Sequence, residues 1–152
     1  MTKKNLTIFG TRHWQAHEIP PSASEVLKYI VAFVRPDVGL EEWSPAEFKK
    51  ESAFKAHCDT ASPQVPWKNI GTPATAELKT FHERLGYHPH ICEYGPLDVQ
   101  ARREILMCEN IHNAMSTFES GMLLIGEAHL HSMAVKLSSE FDVEAYAHFP
   151  PP

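Results

Sequence analysis

A short apolar run that stops at Gly-x-x-His occurs near the start of this chain and again near its end, and this repetition narrows how the chain can fold. Leu6-Thr7-Ile8-Phe9 leads into Gly10-Thr11-Arg12-His13, and Met122-Leu123-Leu124-Ile125 leads into Gly126-Glu127-Ala128-His129. Brief runs of this composition, ended by glycine, read as buried strands. If two such strands lie parallel in one sheet, their carboxyl ends open onto the crevice where α/β proteins bind ligands. His13 and His129 are then expected to meet. A third run, Val38-Gly39-Leu40, ends in Glu41-Glu42, where a carboxylate is placed to complete the site. Strand alternation turns the two acids to opposite faces, so only one of them is expected to enter.

The segments between these runs carry helix signals. Ser22-Ala23-Ser24-Glu25 is a capping-box pattern ahead of an apolar stripe from Val26 to Val34, and Pro36 closes it. Ser44-Pro45 opens a helix expected to reach about His57, and Thr72-Pro73 opens another that Gly86 ends. The Pro-, Ser- and Thr-rich stretch from Asp59 to Gly71 reads as a surface loop. A long helix is expected over Asp98 to Thr117 and a last one from Ser132 to about Phe141. With further strands at His90 to Tyr94 and Val143 to Tyr146, strands alternate with helices. The expected architecture is one α/β domain over residues 1–152, a mainly parallel sheet of four to five strands with helices on both faces and the site at the carboxyl strand ends.

Composition excludes several classes. A net charge of −5 and a pI near 6.0 create no basic field, so nucleic acid is not an expected partner. Cys58, Cys92 and Cys108 are odd in number and widely spaced, which suits a reducing compartment. The apolar run after Lys3-Lys4 is too short for a signal peptide, and no stretch approaches a membrane span, so the expectation is a soluble cytoplasmic protein. A small α/β domain with Pro-rich loops is also suited to pairing with a second copy.

The order of these signals resembles a known superfamily. Gly-Thr-Arg-His follows the first strand and Val-Gly-Leu-Glu forms the second; a helix then carries Arg103-Glu104-x-x-Met107-x-x-Asn110, ahead of Gly-Glu-Ala-His-Leu. Together they resemble the group that unites TraB/PrgY proteins, Tiki proteases, erythromycin esterases and ChaN haem-binding proteins. The resemblance covers roughly Leu6 to Pro45 and Ala101 to Tyr146, making this a compact member. The helix pattern is most similar to the erythromycin esterases, with Glu104 standing where they carry Asp. By position, the resemblance implies His13, Glu41, Arg103, Glu104 and His129 as functional residues.

Two chemistries follow for a small-molecule or peptide substrate. His13, Glu41 and His129 form a ligand set suited to Zn, Mn, Co or Fe, with room for a water that attacks an ester or amide carbonyl while Arg103 stabilises the oxyanion. Without metal, one histidine acts as general base on water and a glutamate orients its ring. Asn110 lies two turns beyond Arg103 on nearly the same helix face, which lets both reach one pocket. Gly10 and Gly126 would let backbone approach the substrate or adopt positive φ, and Trp14 would line the pocket. Trp43 and Trp67 are read more readily as packing. A different class is a binding module like ChaN, with Tyr87, His88, His90 or Tyr94 as axial ligands to haem; a third is a non-catalytic regulatory member of the fold.

Overall fold

The computed structural model describes residues 2–11, 23–42, 64–71 and 96–149. Within them the chain forms β1 (Lys4–Thr11), α1 (Ala23–Val34), β2 (Val38–Glu41), β3 (Trp67–Asn69), α2 (Pro96–Ala114), β4 (Ser120–Gly126), α3 (Glu127–Leu137) and β5 (Phe141–Phe149). The strands pair in the order β3-β2-β4-β1-β5, and each neighbouring pair is parallel. This is the α/β architecture that the alternation of strand and helix patterns requires. The two Gly-x-x-His strands, β1 and β4, are direct neighbours, with Gly10 opposite Ile125 and Thr11 opposite Gly126.

Several boundaries differ from expectation, two of them instructively. Trp67–Asn69 lies in the stretch read as loop, yet it pairs with β2 as the sheet's edge strand. Its three residues are too few to show alternation, and Pro66 and Gly71 beside it are turn signals; pairing alone makes the strand. The last helix starts at Glu127, five residues before the expected Ser132, because β4 passes into it at Gly126 without a connecting loop. The helices expected over 44–57 and 72–86 and the strand expected over 90–94 lie outside the described residues.

Connections β1 to β2 and β4 to β5 run in opposite directions along the sheet, so right-handed crossovers put α1 on one face and α3 on the other. The core divides accordingly. Leu27 and Val31 of α1 pack on Met122 and Leu124, whereas Met107, Ile111 and Met133 from α2 and α3 pack on Leu6, Ile8, Leu123 and Ile125. Alternate residues of one strand thus feed two cores. Each fully buried Leu or Ile contributes about 1.5–3 kcal/mol.

Neighbouring side chains approach Gly39 and Gly10 closely. A Cβ on Gly39 would lie 2.4 Å from the Trp67 ring, which packs flat across β2, and one on Gly10 would lie 3.1 Å from Leu130 of α3. At the amino-terminal edge of the sheet, polar side chains fasten the elements. Lys4 Nζ donates to the Met115 carbonyl at 2.8 Å and Lys3 Nζ to the Ser138 carbonyl at 2.9 Å, each neutralising the negative end of a helix. Asp37 Oδ2 accepts from the Glu119 and Ser120 amides at 3.1 and 3.2 Å, joining β2 to β4.

Candidate functional site

Where β2 and β4 end, four ionisable side chains from three segments converge. Glu42 follows β2; its own amide still donates to the Leu124 carbonyl, so strand alternation carries one residue past Glu41. That step turns Glu42 toward the α2 and α3 face. Its Oε2 accepts the Gly126 amide at 2.8 Å, and its Oε1 lies 3.6 Å from Arg103 Nη2 and 3.6 Å from His129 Nε2. The other nitrogen of that ring, Nδ1, is 2.8 Å from Glu104 Oε2. All of this is enclosed: the side chains of Glu42, His129 and Glu104 are 5%, 7% and 8% exposed.

Helix geometry explains how the residues meet. Arg103 and Glu104 are consecutive on α2 and project roughly 100° apart, so one reaches Glu42 and the other faces α3. On α3, His129, Ser132 and Lys136 stand at i, i+3 and i+7, a single stripe. Ser132 Oγ donates to Glu104 Oε1 at 2.5 Å. Lys136 Nζ donates to the same oxygen at 3.0 Å and to Ser132 Oγ at 2.7 Å. Burial by itself raises the Glu104 carboxyl; the hydrogen bonds from His129, Ser132 and Lys136, with the Lys136 charge, act oppositely and hold it below its ordinary value. Glu104 is therefore a carboxylate at neutral pH, and Nδ1 of His129 carries the proton it accepts. In the neutral ring Nε2 is then the acceptor.

Of the other expected site residues, Glu41 and Asn110 fall elsewhere. Glu41, fully buried, is registered opposite Leu124 and so turns toward the α1 face, away from Glu42. Asn110 Nδ2 donates to the Ile70 carbonyl at 3.1 Å, tying α2 to the exit of β3. Gly126 has φ −56°; its contribution is the amide that holds Glu42, whereas Gly10 admits α3 against β1. His13, Trp14 and Trp43, and the haem-ligand candidates Tyr87, His88, His90 and Tyr94, lie outside the described residues. Trp67 belongs to the core under α1. Burial pushes the Cys108 thiol up, and its Sγ lies 3.9 Å from Met133 Sδ.

Sequence reasoning missed Glu42, Ser132 and Lys136. The signals existed. Right-handed crossover puts the helix after β4 opposite α1, and alternation sends Glu42 to that same face. The i, i+3, i+7 spacing from His129 marks the other two.

Among the described residues, no group of three or more His, Cys, Asp or Glu is arranged to hold a metal ion. Two donors do suit one ion. Ligands bonded to a tetrahedral zinc at about 2.0–2.2 Å lie roughly 3.3 Å apart, close to the 3.6 Å between Glu42 Oε1 and His129 Nε2. A carboxylate on the distal ring nitrogen, here Glu104, is the usual support of a ligating histidine. Compared with models of known families, with curated proteins and with solved structures, the chain matches none.

Proposed function

We propose that this chain is a hydrolase of ester or amide bonds in which His129 is the general base. The observation that carries the reading is the 2.8 Å contact between Glu104 Oε2 and His129 Nδ1, which makes Nε2 the acceptor of the neutral ring, on the side where Glu42 pairs with Arg103. In the reaction, Nε2 takes a proton from water as the water oxygen bonds to the substrate carbonyl carbon. Arg103 stabilises the oxyanion, and the imidazolium returns the proton to the departing alkoxide or amine. Glu104 keeps the ring in one orientation and stabilises its charged form. Glu42, anchored on the Gly126 amide, holds Arg103 toward the ring. This reading keeps the likeness to erythromycin esterases that the ordered motifs suggest.

A second reading is favoured by one distance. The 3.6 Å between Glu42 Oε1 and His129 Nε2 suits two ligands of one divalent ion, with His13 of the first Gly-x-x-His as a third. Such an ion would acidify a bound water and polarise the carbonyl. Glu104 would then support a ligand rather than a base.

Hydrolysis of a panel of activated esters and short peptides, with and without chelator, tests both. His129→Ala is expected to lower kcat/KM by about 10²–10⁴, and resistance to chelation selects the metal-free route. An unchanged rate in His129→Ala overturns the proposal.

A further inference from the structure

We propose that Lys136 and Ser132 are positioning residues for His129 and act on it through Glu104; this rests on His129 being the working imidazole. A glutamate carboxylate has two equivalent oxygens and a broad, roughly two-fold terminal torsion, so its side chain alone does not settle which oxygen meets the ring. Here the choice is made by α3. Ser132 Oγ, 2.5 Å from Oε1, and Lys136 Nζ, 3.0 Å from it, occupy that oxygen together. The Lys136 to Ser132 contact at 2.7 Å braces the two donors against each other. Oε2 is then the oxygen presented to Nδ1.

The consequence reaches the far side of the ring. An ionised Glu104 accepts only from a protonated Nδ1, and a neutral imidazole carrying its proton there has none on Nε2. Lys136 and Ser132, both on Oε1, together fix the carboxylate so that Oε2 is the oxygen aimed at the ring. Two residues that contact Glu104 thereby act, through the ring, on the nitrogen that faces Glu42. Lys136 itself is 37% exposed, so its replacement leaves the two cores intact.

The test is ring-nitrogen NMR of His129 in wild type, Lys136→Met, Ser132→Ala and Lys136→Arg, with substrate turnover measured beside it. Wild type is expected to show a hydrogen-bonded Nδ1–H signal. Lys136→Met is expected to lose it in favour of the Nε2–H form and to lower kcat roughly tenfold or more with little change in KM, and Lys136→Arg to restore both. A tie that merely joined α2 to α3 would lower the melting temperature and leave the ring signal in place; that result overturns the inference. Should Lys136→Met fail to fold, Ser132→Ala, which removes one hydroxyl, decides by the same signal. A wild type without the Nδ1–H form sinks the general-base reading as well, whereas a wild type with it and unaltered variants sinks the positioning role alone.

Discussion

The two edges of the sheet use similar side chains to different ends. At the amino-terminal edge, Lys3, Lys4 and Asp37 bind backbone groups: the carbonyls that close α2 and α3, and the amides that open β4. At the carboxyl edge, Glu42, Arg103, Glu104 and His129 face one another while nearly excluded from water. Charges satisfied by backbone complete secondary structure and are worth about 0.5–1.5 kcal/mol apiece. Buried charges that face each other incur desolvation that better-packed apolar residues would avoid. Stability alone therefore explains the first edge and not the second, and that contrast motivates reading the second as a reaction site.

Substitutions at the two edges should separate these roles. The largest effect is expected from Glu104→Ala, which strands His129 Nδ1, Ser132 and Lys136 at once: about 3–5 kcal/mol of unfolding free energy, measured by denaturant titration, together with loss of turnover. Next comes acidification. The carboxyl of Glu104 is held below its ordinary value of 4.5, so its contribution is fully present above that pH and is lost as pH falls through the depressed folded value. Glu104→Gln should remove this acid limb from a plot of stability against pH; an identical limb in the variant would deny the network. The smallest effect belongs to the other edge. Asp37→Ala, at an exposed position, should cost about 1 kcal/mol and leave kcat/KM unaltered, and a fall in turnover there would erase the distinction between the edges.

Much of this arrangement is legible in the chain itself. Glycine-stopped apolar runs gave β1 and β4, a third apolar run gave β2, and the capping box before Val26 gave α1, because these elements are dictated by local pattern. Edge strand β3 was not legible: Trp67-Lys68-Asn69 acquires its conformation from pairing with β2. The start of α3 was hidden for a related reason, since Gly126 ends a strand and caps a helix at the same point. Within the candidate site, Arg103, Glu104 and His129 follow from motif order. Choosing between Glu41 and Glu42 needed the face on which α3 lies, a property of the whole topology and not of the local run.

The joining of Glu104 and His129 is the claim on which the rest depends, and a double-mutant cycle in unfolding free energy addresses it most directly. With Glu104→Ala and His129→Ala made singly and together, above pH 4.5 where Glu104 is ionised, we expect a coupling of about 1.5–3 kcal/mol. Single effects that simply add, to within about 0.3 kcal/mol, would mean that the two side chains do not meet, and the proposed reaction site would have no base.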